Sequence, residues 1–399
     1  MTTSRSLVIA PQPFFTPRGT PMSVYYRALM MARKGIQIDL LTYGEGQDVE
    51  IPGVRIVRIP AFPVFGHIKT GPSFLKLFLD VFITLWTIGL LIRNRYDFVH
   101  AHEEAAFIAV ALRPIFRYRL IYDMHSSLPE QLRNFGWSKS RLLTRFFEWA
   151  EDKALKKADA VITICPSLAE YATLRISKPE KHLLIENSIF EPVRLAQKQG
   201  SNETAINVDQ LFSNMETRGL ETSLIYAGTL ETYQGIDLLL ESMAEVKRRG
   251  VAAGLIVVGG SKEQVLHYEQ MAADLHIADV TTFVSRVPQA VAKEFTGRAD
   301  ILLSPRTRGM NTPLKIYEQL ASGKPLVATR IPSHTQVLTE EVAFLGDPDA
   351  RAFADQMEAA TRHADLAQKK VKRALELYAE SYSPAVYSGK IDKLLELVC

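Results

Sequence analysis

Cysteine is almost missing from this chain. Its 399 residues carry two, Cys165 and Cys399. That excludes a disulfide framework or a cysteine metal cluster, so a reducing, cytoplasmic setting and no metal site are expected. Neither charge dominates: 47 Lys and Arg against 44 Asp and Glu leave a net charge of +3. Such mild basicity leaves no footprint for nucleic acid, and no nucleic-acid partner is expected. The Gly-x-Gly-x-x-Gly fingerprint is lacking too, although Gly259 and Gly260 close one strand-like run, so a dinucleotide fold is not indicated. Short repeats, low-complexity tracts and a leader pattern are likewise not seen. Long apolar runs are scarce, with one exception at Phe74 to Ile92, where Asp80 is the only charge from Leu77 onward.

What is present is alternation. Apolar runs at 7–10, 38–42, 54–60, 97–102, 120–124 and 159–165 are separated by helical patterns. A second series follows at 223–227, 254–258, 280–284, 301–304 and 325–329. Strand–helix–strand order implies parallel sheets, and the length implies two domains. The expected division is 1–195, a polar linker at 196–222 with a short helix near Val208 to Met215, 223–380, and a last helix at 381–399. Gly19 is expected in the loop after the first strand, ahead of a helix from Met22 to Lys34.

The chain is organised around Ser304 to Thr329. A strand ends at Ser304-Pro305, and a loop with Arg306, Arg308 and Gly309 follows. Asn311 or Thr312 suits an N-cap, Pro313 suits the first turn, and Leu314 to Ser322 reads as a helix closed by Gly323. Arg306, Arg308 and Lys315 beside a helix start favour a phosphate. Glu318 lies about one turn further on, where a carboxylate accepts from sugar hydroxyls. A second loop, Gly228-Thr229 to Gln234-Gly235, has the same strand–loop–helix build. His125 emerges just past a strand end with Asp123 and Ser126 beside it, whereas His102 reads as structural.

The stretch Glu318-Gln-Leu-Ala-Ser-Gly-Lys-Pro-Leu-Val resembles the "E-x-x-A-x-G-x-P-V-V" signature of the retaining GT-B glycosyltransferases of family 4. Asp97-Phe-Val-His-Ala-His102, Asp159 to Cys165, and the frame of Gly228, Gly235, Asp237 and Leu239 resemble further family motifs. The resemblance implies an α/β protein of GT-B type, two Rossmann-like domains facing across a cleft, with the last helix crossing back to the first. It implies transfer of a sugar from a nucleotide-diphosphate donor of UDP or GDP type, with retention and without metal or cofactor. Glu318 then holds the ribose, Arg306, Arg308 and Lys315 the diphosphate, and His125 the sugar. Gly228, Thr229, Gln234, Asn311, Thr312, Pro313 and Leu314 line the donor site, and the Gly19 loop gates it.

Three positions depart from the family. Thr229 and Gln234 stand where it has Arg and Lys, and Met310 where it has the first of two glutamates. A non-catalytic nucleotide-sugar binder and a nucleotide-sugar epimerase of the same fold therefore stay open beside the transferase. The acceptor is expected to be lipid-linked or a glycan at the inner face of the membrane. Two stretches motivate this: the 74–92 run, readable as a core helix, a membrane-docked helix or a span, and the basic–aromatic Gly136 to Lys157.

Overall fold

The Val- and Ile-rich runs become the strands of two all-parallel sheets in the computed structural model. It describes residues 4–16, 19–62, 73–129, 141–187, 190, 193–194 and 207–399, with backbone only at 141–143. Arg18, Trp137, Lys139, Ser188 and the first part of the linker, 196–206, lie outside the described residues. The chain divides into two units, residues 1–199 with 384–399, and residues 200–383.

Unit 1 runs β1 (Arg5–Ala10), α1 (Gly19–Arg33), β2 (Gln37–Thr42), β3 (Val54–Arg58), α2 (Phe74–Arg93), β4 (Phe98–His102), α3 (Ala105–Phe116), β5 (Arg119–Met124), α4 (Arg141–Lys157), β6 (Ala160–Thr163), α5 (Pro166–Thr173) and β7 (His182–Leu184). Unit 2 runs α6 (Val208–Thr217), β8 (Thr222–Ala227), α7 (Ile236–Arg248), β9 (Ala253–Val258), α8 (Lys262–Asp274), β10 (Thr281–Val284), α9 (Gln289–Arg298), β11 (Ile301–Ser304), α10 (Leu314–Leu320), β12 (Leu326–Thr329), α11 (Pro332–Thr335), β13 (Phe344–Gly346), α12 (Ala350–Arg362) and α13 (Ala364–Ser381). Helix α14 (Pro384–Val398) belongs to unit 1.

The strand orders are β3-β2-β1-β4-β5-β6-β7 and β10-β9-β8-β11-β12-β13. Strands covered by helices on both faces lose the polar alternation of a one-sided sheet, which is why they read as continuous apolar runs. In each sheet the order reverses once, between β1 and β4 and between β8 and β11. Loops leaving the carboxyl ends of those strands diverge and leave room for a ligand.

Several local expectations change. Gly19 is the first residue of α1 rather than part of a loop, because Thr20 and Pro21 fit a first turn whose N–H groups need no partner. Helix α10 starts at Leu314 with Pro313 as its cap, and it ends at Leu320, so neither Asn311 nor Thr312 caps it. Helix α6 buries Val208, Phe212 and Met215 in the core of unit 2, so the second part of the stretch read as linker is packed structure. Helix α14 is tied to unit 1 by Arg119 Nη1 donating to Leu397 O (3.0 Å) and by ion pairs Lys34–Asp392 and Lys390–Glu186, both 2.5 Å.

Helix α2 starts where the Ser73 hydroxyl accepts from Lys76 N at 3.2 Å. Leu79, Ile83, Thr87 and Leu91, one residue per turn, are its buried line. Asp80 is pulled inward by Tyr43, whose hydroxyl donates to Oδ1 at 2.7 Å. Burial pushes the Asp80 carboxyl up to about 6, with the Tyr43 bond opposing. The run is therefore packed on one side only. Ile83→Ala should cost about 2–5 kcal/mol in urea unfolding, the range for a buried aliphatic truncation. The exposed Leu85→Ala should stay within about 0.5 kcal/mol.

Candidate functional site

In unit 2 the loops after β8 and β11 are locked together. Gly235 has φ +74°, and a Cβ there would lie 2.1 Å from Pro305 O. Thr307 N donates to Tyr233 O at 3.0 Å. Beneath them Gly259 (φ +132°) passes so close to Gly228 O that a Cβ would stand 1.8 Å away. These two approaches admit only glycine. Tyr226 Oη donates to Thr229 O at 2.7 Å, and Gln234 Nε2 to Thr229 Oγ1 at 3.3 Å. The two neutral residues at the departing positions thus close the loop on each other.

Lys315 reaches this loop from the first turn of α10. Its Nζ sits 4.0 Å from the Tyr226 ring centroid and 3.6 Å from where a Gly228 Cβ would be. The residue keeps some surface, yet the Nζ itself is enclosed and has no hydrogen-bond partner. Burial, and then the charge of Arg306, bring its pKa down to about 7. The ring face gives partial compensation only.

Arg306 is differently placed. Its Nε donates to Arg308 O at 2.7 Å and its guanidinium stacks 5.3 Å from the Tyr233 centroid, so it shapes its own loop. Burial lowers its pKa from the ordinary value. Arg308 is exposed. Met310 is also exposed, and its carbonyl accepts from Gln336 Nε2 at 2.7 Å. His334, buried under the loop, accepts from Ser304 Oγ at 3.0 Å through Nε2 and donates from Nδ1 to Thr329 O at 2.9 Å. Burial is the main reason its pKa falls to about 4, so it is neutral.

Thr312, Lys315 and Glu318 follow at three-residue spacing into α10. Thr312 Oγ1 and Glu318 Oε1 are enclosed and make no hydrogen bond, as is Gln234 Oε1. Burial raises the Glu318 pKa, with Lys293 opposing. Each such group costs about 1–3 kcal/mol while unsatisfied, the arrangement expected where a ligand supplies the partner.

Unit 1 gathers a different cluster at the carboxyl ends of β4 and β5. Asp123 accepts from Arg27 Nη1 and from His100 Nε2 at 2.9 Å through Oδ2. His125 Nε2 lies 3.2 Å from Oδ1, and His102 Nδ1 lies 3.2 Å from His125 Nε2. All five side chains are buried. Burial alone would raise the Asp123 pKa, but Arg27 first, then His102, His125 and the His100 bond, hold it well below the carboxylate range. Burial lowers His100 and His102, the latter strongly. His100, His102 and Asp123 present ligand atoms within 4.8 Å of one another. Arg27 already neutralises that carboxylate and also donates to Ile185 O at 2.9 Å, which makes the group a charge-balanced network. Ser126 turns elsewhere, donating to Glu103 Oε1 at 3.1 Å.

The structure thus brings together Gly228, Thr229, Gln234, Arg306 and Lys315 in unit 2, and His102 with His125 in unit 1. Arg27, His100, Tyr226, Tyr233 and His334 escape a reading of sequence alone. Arg27 carried a signal: a cation inside the apolar Val24-Tyr-Tyr-Arg-Ala-Leu-Met-Met.

Two parallel sheets, each with a side-chain cluster at its carboxyl edge, are the architecture of the GT-B glycosyltransferases. Solved structures agree: sucrose-phosphate synthase from Thermosynechococcus elongatus superposes with TM-score 0.72 at 18% identity over 98% of each chain. Anabaena HepE in complex with UDP gives 0.71 at 14% identity, over 98% of this chain and 99% of that one. A family model described as "Glycosyl transferase 4-like domain" matches residues 19–188, and "Glycosyl transferases group 1" matches 221–363. The chain belongs to this glycosyltransferase family, type 4, whose members work from a nucleotide-sugar donor. Among relatives, the alpha-D-kanosaminyltransferase of Streptomyces kanamyceticus is 22% identical over 91% of this chain and 96% of its own. The phosphatidyl-myo-inositol mannosyltransferase of Mycobacterium leprae is 26% identical over 48% of this chain and 52% of its own.

The Arg27–Asp123 pair gives a test with a defined sign. A carboxyl depressed in the folded state contributes stability that is complete above its unfolded value of about 4 and is lost as pH falls below it. Arg27→Met strands the carboxylate and should cost about 3–5 kcal/mol at pH 7. Its Asp123 then protonates at higher pH, so the deficit against the parent should narrow toward pH 3, as read by thermal unfolding across that range.

Proposed function

We propose that this chain is a retaining, metal-independent hexosyltransferase. It moves a sugar from a UDP- or GDP-type donor to a lipid-linked or glycan acceptor at the cytoplasmic membrane face. The observation that carries this reading is the enclosed, unpartnered Lys315 Nζ beside Gly228. An amine held there with a pKa of about 7 is unfavourable in the empty protein and answers to an arriving anion. As the bond from the anomeric carbon to the diphosphate breaks, the electron pair leaves with the diphosphate, and an ammonium at that place stabilises it. The acceptor hydroxyl oxygen bonds to the same carbon and its proton is released. A lysine doing this work replaces the cations that Thr229 and Gln234 lack, and it leaves no task for a metal.

Glu318 takes the ribose hydroxyls, which satisfy its enclosed oxygen. Arg308 adds charge from the surface, and Arg306 holds the loop in shape. His125, set by Asp123 and through it by Arg27, is our candidate in unit 1 for the donor sugar. HepE's complexes with UDP and UDP-glucose support the donor class. The name of the phosphatidyl-myo-inositol mannosyltransferase supports a lipid acceptor.

Lys315→Met is expected to lower kcat by about 10²–10³-fold, the scale of losing one preorganised charge at a leaving group. It should also raise Tm, because an unsatisfied polar group is exchanged for an apolar one. Opposite signs in the two readouts mark a residue kept for chemistry. For the parent, the bound diphosphate raises the lysine pKa above its free value. Donor affinity should therefore be flat below about pH 7 and fall up to about tenfold per pH unit above it. EDTA should leave turnover unchanged. A second reading has its own observation, the neutral Thr229–Gln234 pair where cations are expected. UDP or GDP binding in a thermal-shift assay, without turnover over lipid and glycan acceptors, would support a non-catalytic binder instead.

A further inference from the structure

Helix α2 leaves an apolar line uncovered. Leu77, Val81, Leu85 and Ile92 recur at four- and seven-residue steps and so share one side of the helix. Val81 is 57% exposed, Leu85 55% and Ile92 70%. The twenty residues of the helix span about 30 Å. It is the one helix, among the described residues, long and apolar enough to cross a membrane by length and composition. Its opposite side, however, is fixed in the sheet core through Leu79, Ile83 and Leu91 and through the Tyr43–Asp80 bond. A helix anchored so cannot span; it can only lie flat.

The surroundings identify what it lies on. From Val81 to Tyr96 there is no carboxylate, and Arg93 and Arg95 are exposed at the end of the line. Helix α3 packs against both α2 and α4. It adds Ile115, 71% exposed, and the exposed Arg117, and the stretch from Ala105 to Arg119 also has no acidic residue. On α4, Phe146 and Trp149 are exposed, with Lys153 Nζ 4.7 Å from the Trp149 ring centroid. A narrow apolar line with cations at its border and aromatics beside it fits an anionic interface.

We propose that the outer face of α2 docks unit 1 on an anionic lipid leaflet, with the helix in the plane of the interface. The proposal rests on the exposed line and its charge and deepens the membrane clause of the proposed function; turnover without vesicle binding overturns it and leaves the sugar-transfer reading in place. The test is co-sedimentation of the purified full chain with vesicles of phosphatidylcholine, with and without phosphatidylglycerol. The parent should bind the vesicles containing phosphatidylglycerol and release in high salt. A Val81→Glu/Leu85→Glu double variant should lose about tenfold or more in vesicle binding. Its Tm, and its donor hydrolysis without vesicles, should stay as in the parent. Arg93→Glu/Arg95→Glu should lose the preference for phosphatidylglycerol. Three outcomes overturn the proposal: no binding by the parent at low salt, binding indifferent to the Glu substitutions, or a dimer in light scattering that the double variant dissociates.

Discussion

A charge taken out of water needs an answering charge, and this rule arranges the carboxyl edges of both sheets. In unit 1 the charge is answered, although Arg27 Nε, His100 Nδ1, His102 Nε2 and Asp123 Oδ1 make no hydrogen bond. Asp123 is met by the Arg27 guanidinium, and three imidazoles are ordered around the pair. Because Arg27 comes from α1, Asp123 from β5 and Ile185 from the segment after β7, one ion pair ties elements far apart in the chain. In unit 2 the answer is missing. Lys315 Nζ has an aromatic face and a neighbouring arginine but no anion. The balanced cluster holds a histidine still, and the unbalanced one presents a binding energy not yet used.

Topology explains why both clusters lie at carboxyl edges, and why that of unit 2 lies at a reversal. A parallel sheet sends every loop at its carboxyl edge toward the same side, and a reversal in strand order parts two of them. In unit 2 those are the loops after β8 and β11, and the approach of Gly235 to Pro305 O keeps them in contact despite the parting. The loop residues can therefore act on one ligand although some seventy positions separate Gly235 from Pro305.

The sequence made the fold legible because strands covered on both faces have a plain signature, and because glycine and proline mark the turns between them. Glu318, Lys315 and His125 stand out as candidates in the sequence, the first two from the helix that follows a strand and the third from its place just past a strand end. Harder to see was anything set by three-dimensional enclosure. That Arg306 spends its guanidinium on its own loop while Lys315 has no partner cannot be read from two basic residues nine positions apart. Nor can the pairing of Thr229 with Gln234, which is set by how the loop folds back. The start of α10 at Leu314 agrees with the sequence reading, but its cap does not: Asn311 and Thr312 have good capping side chains, yet Arg306 draws on the Asn311 carbonyl and Pro313 takes the cap. Helix α2 was ambiguous for another reason. Its inward and outward lines are both apolar, so periodicity has no contrast to report.

The return of α14 to unit 1 bears on how the molecule is made. Tyr387 packs against Phe190, and Lys390 pairs with Glu186, next to the segment that receives Arg27. Those partners reach the ribosome exit about two hundred residues apart. During synthesis unit 2 has all its residues in hand first, whereas unit 1 waits with an uncovered flank until α14 emerges. The earlier half of the chain is thus the later to be complete.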